Sequence, residues 1–256
     1  MRNNHCIKIY KYRSLSGEHG REAIENAVKR NELYWQSPSE FNDPFDCAPV
    51  LYFGDNDHQR KKFYARATAA VYHNQTRTAR RQHRRNMGTV PPAEMEKQLR
   101  EAWGGWLTNS AIACFSEVHD HPLMWGHYAD SHKGVCLIFE EFADDQAEWF
   151  AFPVAYQAAR PRVNLTCFND PQVMMQALLL KSNHWSYERE QRMIAWNKAP
   201  GYRDFPVQSL TGIILGAKIS EANEAFVRSL LPERPDLQLF RAEIDATAFK
   251  LEVVPA

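Results

Sequence analysis

Strand-length apolar runs recur along this chain without settling into a regular alternation with helices, and this irregularity narrows the fold most. Ala111-Ile-Ala-Cys-Phe-Ser116, the buried-looking run Gly134 to Phe139 and Ile213-Ile-Leu215 read as core strands. Ile7-Lys-Ile-Tyr-Lys-Tyr12 alternates in the manner of a half-buried strand, and residues 32–36, 47–53, 191–196, 237–244 and 249–254 add further strands. Helical spacing is expected over residues 18–30, 56–86, 91–109, 121–130, 171–182 and 221–231. The helices over 56–86 and 91–109 are separated by a break at Met87-Gly-Thr-Val-Pro-Pro92. Pro122 sits at a first helical position, with Asp120 the expected cap. Interspersed helices and strands with no regular βαβ repeat predict an α+β class of mostly antiparallel, twisted sheets with flanking helices. Neither Gly-x-Gly-x-x-Gly nor Gly-Lys-Ser/Thr occurs, which disfavours dinucleotide-fold and P-loop readings.

A chain of 256 residues with 44% hydrophobic content can bury a sizeable core. A single domain is expected over 1–256, with a helical basic insertion at about 55–109. The five cysteines (6, 47, 114, 136, 167) never fall in Cys-x-x-Cys spacing, so a disulfide framework or zinc ribbon is not expected. No apolar run reaches membrane-spanning length and residues 1–10 lack a signal core, so a cytoplasmic protein with no membrane partner is expected.

Net charge is zero, but its distribution is uneven. From Arg60 to Arg100 there are eleven basic residues (60, 61, 62, 66, 77, 80, 81, 84, 85, 97, 100) against two acids, Glu94 and Glu96. Arg77, Arg80, Arg81, Arg84 and Arg85 form its densest part. Such a segment is either a nucleic-acid footprint or a solvated helical excursion balanced by acids elsewhere.

Trp185-Ser-Tyr-Glu-Arg-Glu-Gln-Arg-Met-Ile-Ala-Trp196 places Glu188 and Glu190 at i, i+2 beside a strand-like run. On a strand that spacing sends both acids to one face, with Arg189 and Arg192 expected on the other. Paired carboxylates suit chemistry at an anomeric carbon, where one stabilises an oxocarbenium-like centre and the other orients an acceptor. The plainer reading is a mixed-charge strand edge.

Four further spots carry polar groups. Arg13 ends the first strand and its planar fork could clamp a phosphate. Ser116 ends a later strand, placed to bond a ribose or brace a glutamate. Asn42 and Asp43 sit in a turn between Phe41 and Phe45, which are expected to pin that loop to the core. The stretch His119 to His132 holds four His and two Asp in fourteen residues. It lacks His-x-x-x-His spacing, so no metal is assigned, though His127, Asp130 and His132 are the ligand candidates. Trp125 and Tyr128 are the candidate stacking surfaces for a flat ring such as nicotinamide, with His127 beside them.

Several of these blocks together resemble a family of bacterial proteins, the domain of unknown function DUF2971. They are Ile9-Tyr-Lys-Tyr-Arg13, Leu33-Tyr-Trp-Gln-Ser-Pro-Ser-Glu-Phe-Asn-Asp-Pro-Phe45, Ala113-Cys-Phe-Ser116, Leu123-Met-Trp-Gly-His-Tyr-Ala-Asp-Ser-His-Lys-Gly-Val135 and Trp185-Ser-Tyr-Glu-Arg-Glu-Gln-Arg192. That resemblance spans nearly the whole chain and implies no particular activity.

A second, weaker resemblance is to ADP-ribosyltransferases. One branch of these orders an Arg at the end of the first strand, a Ser on a later strand and a Glu-x-Glu pair, as Arg13, Ser116 and Glu188-Arg189-Glu190 stand here. The chain departs from that pattern in having Cys114-Phe-Ser116 where a Ser-Thr-Ser triplet is usual. The resemblance implies NAD as substrate, its phosphate on Arg13 and Ser116 supporting the site. Glu190 would bind the nicotinamide-ribose hydroxyl and Glu188 would orient a protein or nucleic-acid acceptor. Branches that use Tyr in those slots make Tyr12 or Tyr34 substitutes.

Overall fold

The computed structural model describes residues 8–140, 149–167 and 170–256. In chain order the elements are β1 (Lys8–Arg13), α1 (Gly20–Glu25), β2 (Glu32–Trp35), β3 (Val50–Tyr52), α2 (Asp57–Val71), α3 (Arg77–Thr89), α4 (Pro92–Thr108), β4 (Ala111–Ser116), α5 (Pro122–Tyr128) and β5 (Val135–Glu140). There follow β6 (Phe152–Pro153), β7 (Ala155–Gln157), β8 (Arg162–Asn164), α6 (Pro171–Leu178), β9 (Leu180–Ser182), β10 (Glu190–Ala195), β11 (Gly201–Asp204), β12 (Leu210–Leu215), α7 (Glu221–Leu230), β13 (Gln238–Ile244) and β14 (Leu251–Pro255).

The chain divides into two compact units. The first comprises Met1–Gln36, Ala111–Val154 and His184–Ala256. Its frame is an eight-stranded sheet in the order β14-β13-β12-β5-β1-β4-β10-β6. Only β12 and β13 run parallel, joined through α7, and the other pairings are antiparallel, so the α+β class with mostly antiparallel sheet is borne out. The two faces bury different sets, as alternation along each strand requires. Ile9, Phe115, Val135, Leu137, Phe139, Met193, Ile213 and Leu215 face one core, with Ile24, Val28, Trp149, Phe205, Val227 and Leu230 packed against them. Tyr10, Tyr12, Cys136, Ile138 and Ile214 face the other, covered by Met124, Trp125 and Ala129.

The second unit comprises Ser37–Ser110 and Ala155–Asn183. It holds α2, α3, α4 and α6, and two small parallel strand pairs, β3 with β8 and β7 with β9. Several local expectations change here. The helix expected over 56–86 is two helices, because Thr76 caps a new start by accepting from the Ala79 amide. The helix expected over 171–182 stops at Leu178, and Leu180–Ser182 pairs as β9 instead. Asp43 does form the Asx turn, accepting from the Phe45 amide at 2.9 Å. Phe45, however, is 61% exposed, so it does not pin the loop to a core and lies instead beside Arg160.

One buried charge in the first unit has a pH signature. Lys11 is 7% exposed, donates from Nζ to the Cys114 carbonyl at 2.8 Å and lies over the Phe115 ring. Burial, and secondarily the nearby Arg13 charge, pushes its amine down to about 7. The folded value lies below the ordinary one, so the protonated form penalises folding in full below pH 7, and the penalty is relieved as pH rises towards 10.5. This predicts that Lys11 alone makes the protein about 2 kcal/mol more stable at pH 8.5 than at pH 6.5. Urea midpoints of the wild type and Lys11→Met at the two pH values check it. The difference between the two proteins should shrink by that amount on going to the higher pH, and a difference independent of pH refutes it.

Candidate functional site

Register across the central strands decides which expected site residues meet. Tyr10 lies opposite Ser116, and Ser116 lies opposite Glu190, so these three share a face of the sheet. Cys114 and Arg192 are opposed one step along on that face. Arg192 is therefore not on the far side, as expected, but two residues beyond Glu190 on the same side. It is 0% exposed, and it clamps Glu190 through two bonds, Nε to Oε1 at 2.7 Å and a terminal nitrogen to Oε2 at 2.9 Å. A carboxylate gripped in this way by a planar guanidinium is neutralised where it sits. Arg13 has the opposite parity to Tyr10 and Tyr12. A terminal nitrogen of its side chain approaches the Tyr34 carbonyl at 3.5 Å, and Cys114 and Tyr202 are near enough for its charge to act on them. Gln36 bridges Ile112 on β4, which sets Tyr34 beside Cys114 on the Glu190 face, edge-on to Tyr202.

Glu188 takes a different course from Glu190. It ends the 3-10 turn Asn183–Glu188, and Arg189 then adopts φ 43, so the strand begins only at Glu190. The one-face argument for the two acids fails at this kink, because a left-handed residue interrupts the alternation. Ser116 holds the kink together: its hydroxyl donates to the Glu188 carbonyl at 2.6 Å and accepts from the Val118 amide at 3.0 Å. Ser116 thus braces a glutamate, through that residue's backbone. Glu117 adds a second clasp, accepting from Arg189 and from Gln191 at 2.6 Å each.

The Glu188 side chain is 2% exposed, and its Oε1 accepts from the Tyr128 hydroxyl at 2.6 Å. Tyr128 reaches it from the last residue of α5. Around this pair stands a rim of rings, His121, Trp185 and Tyr187 half-exposed and His127 exposed. His121 stacks on Tyr187 with centroids 5.1 Å apart and planes 17° apart. Trp185 lies 6.1 Å from Tyr187 and 6.0 Å from His127, and His127 is edge-on to Tyr128. The Nδ1 atoms of His119 and His121 are buried with no hydrogen-bond partner, a state that calls for an explanation such as a bound group.

Trp125 does not join the rim. It is fully buried, donates from its indole nitrogen to the His119 carbonyl at 2.8 Å and packs edge-on against Tyr12. Tyr12 is likewise structural: its hydroxyl donates to the Val118 carbonyl, and burial pushes its ionisation up. The expected Asp120 cap is also absent, since His121 occupies the cap position of α5 without a side-chain bond. Asp130 and His132 belong to a left-handed turn after α5, at φ 48 and 71. No group of three or more His, Cys, Asp or Glu residues is gathered for a metal among the described residues.

An open groove of about 590 Å³ adjoins Tyr10 and His119 on the same sheet face, within the range of small-ligand sites. Its polar lining includes Lys8, Glu140, Gln208 and Thr211, with Lys8 and Glu140 paired at 3.6 Å.

Residues 124–193 match the model of a family described as a protein of unknown function, DUF2971. Over this stretch the chain is similar to DUF2971. The DUF2971 match opens in α5 and closes in β10, so its two ends meet in the Tyr128–Glu188 contact. It contains His127, Trp185, Tyr187, Glu190 and Arg192, and it excludes Arg13, Ser116, His121 and the arginines of α3. No curated protein and no solved structure matches the chain. No described helix is long and apolar enough to cross a membrane.

Sequence reasoning overlooked His121, Trp185 and Tyr187. Their signal was present in the Trp-x-Tyr-Glu order: two large rings immediately before a carboxylate.

Proposed function

We propose that this chain belongs to an NAD-consuming enzyme that cleaves the nicotinamide–ribose bond, with Glu188 at the reacting carbon. The observation that carries this reading is the buried Glu188 carboxylate, bonded to Tyr128 and ringed by Trp185, Tyr187, His121 and His127. Flat rings bind a nicotinamide by stacking. In the reaction the C1′–N1 bond breaks and both its electrons go to the ring nitrogen, releasing neutral nicotinamide. The positive charge left on the ribose is stabilised by the carboxylate below it, in a dry setting where that attraction is strong. Water or the nucleophile of a protein or nucleic-acid acceptor then attacks C1′ and gives up a proton. Tyr128 fixes the carboxylate's direction and is a positioning residue.

Relative to the order expected from ADP-ribosyltransferases, the principal acid moves from Glu190 to Glu188. Glu190 is already neutralised by Arg192, so it has little charge to offer a developing cation. Arg13, whose side chain lies near Cys114 and Tyr202, keeps the phosphate role that this order expects of it.

The test is nicotinamide release from NAD, with and without a lysate supplying acceptors. Glu188→Gln is expected to lower the rate by roughly a hundredfold or more. Tyr128→Phe should lower it less and distort the pH profile. Wild type no faster than Glu188→Gln under both conditions would sink the assignment.

A further inference from the structure

We propose that the face of α3 is a docking surface for the phosphate backbone of a nucleic acid, independent of the Glu188 reading. Arg77, Arg80, Arg81, Arg84 and Arg85 all lie on this helix, which contains no acidic residue. Four of them are exposed and Arg80 is half-buried. Among the described residues none of the five has an ion-pair partner. Their spacing repeats at three and four residues, so they form a stripe and their like charges stand next to one another. That arrangement works against the helix, and an anion laid along it would relieve the repulsion.

The surroundings hold the stripe in place. Thr76 caps the start of the helix, and His83 stacks on Tyr72 at the end of α2, with centroids 3.9 Å apart and planes 4° apart. Between α2 and α3 runs a groove of about 490 Å³, with small residues Ala65, Thr68 and Ala69 as floor and four of the arginines as wall. On the far flank a second depression of about 520 Å³ adds Arg60 and Lys61 to Arg84 and Arg85. Its one acid, Asp57, is already bound by Arg60 at 2.7 Å. The stripe is about 12 Å long at the rise of an α-helix, and one nucleic-acid strand presents a charge about every 3.4 Å of axis.

The chemistry of the face selects among polyanions. Every cation of α3 is arginine, whose planar fork matches phosphate oxygens in pairs. A membrane-surface helix needs a large apolar face, and α3 has no buried residue and only Ala79 and Met87 as apolar side chains. A protein partner normally requires aromatic or aliphatic anchors at the centre of its patch, and the stripe has none.

The test uses the full chain and fluorescently labelled 20-nucleotide RNA, single-stranded DNA and duplex DNA, read by anisotropy between 50 and 200 mM salt. Wild type should bind at least one of them with an affinity that falls steeply with salt. The variant R77Q/R80Q/R81Q/R84Q/R85Q should bind more than tenfold more weakly at 50 mM. Its log–log salt slope should be shallower by at least two, since each phosphate contact contributes about 0.7–0.9. Glutamine keeps helix propensity close to that of arginine, and circular dichroism checks that α3 persists. The fivefold Lys variant should retain the salt slope and lose only part of the affinity. No binding of any of the three at 50 mM overturns the proposal. So does a glutamine variant with unchanged affinity and slope. Equal competition, charge for charge, by polyglutamate or by phosphatidylserine vesicles also overturns it, because it would point to another class of partner.

Discussion

An Arg192→Met variant is expected to lose about 3–5 kcal/mol of folding stability, seen as a lower urea midpoint with little change in slope. Arg192 is fully buried, and Glu190, 5% exposed, is held by two of its nitrogens. Removing the arginine leaves the carboxylate in a dry interior without this bidentate counter-charge, and that exposed desolvation cost, more than the lost attraction, sets the loss. The same logic predicts that Glu190→Leu together with Arg192→Met recovers much of the loss, since replacing both partners by apolar groups removes the desolvation penalty with the pair. A double variant no more stable than the single one would show that Arg192 contributes through its other contacts. The experiment also bears on the chemistry. Glu190→Gln should behave as a stability variant, with activity per folded molecule largely kept, whereas Glu188→Gln should lose rate while remaining folded.

Gly134→Ala is expected to cost about 3 kcal/mol or more, a fall in Tm of roughly 6–12 °C for a protein of this size. The backbone at Gly134 is ordinary, and the reason is closeness: an added Cβ would press into the Arg13 carbonyl oxygen on β1, a backbone atom that cannot step aside. The position closes the turn after α5. Its amide donates to the Ala129 carbonyl at 2.8 Å, and its own carbonyl accepts from Gly216 at 2.9 Å. Before it, Asp130, Ser131 and His132 run through three consecutive left-handed conformations at φ 48, 53 and 71, each unfavourable for an L-residue with a side chain. Those contacts therefore hold a strained turn that sets where α5, and with it His127 and Tyr128, sits over the sheet. Gly126→Ala within α5 is the control. Nothing approaches that site within 4 Å, so alanine should be neutral or stabilise by up to about 1 kcal/mol. Equal effects at the two glycines, measured by thermal unfolding, would refute the argument.

The core strands were legible because a strand buried on both faces leaves an unmistakable run of apolar residues, as in Val135-Cys-Leu-Ile-Phe139. The Asx turn at Asp43 was legible because its hydrogen bond is local. Local signals were weakest where two structures compete over a few residues. Leu180–Ser182 continues a helical pattern yet pairs with Ala155–Gln157, which lies more than twenty residues away. Thr76 restarts a helix in a stretch whose composition is helical throughout. Phe45 and Trp125 show the limit from the other side. Both are large and aromatic, yet one is 61% exposed and the other 0%, and nothing in their neighbours along the chain distinguishes them.

For the candidate site, the residue types and their order were present in the chain: a Ser at a strand end, a Glu-x-Glu pair, an aromatic and histidine-rich helix. Order alone could not say which face each side chain takes. That was decided by strand register and by the left-handed Arg189 that turns Glu188 away from Glu190. The physical reason is that composition and spacing act through local conformation, whereas the pairing of Glu190 with Arg192 and of Glu188 with Tyr128 depends on burial, and burial belongs to the folded sheet as a whole.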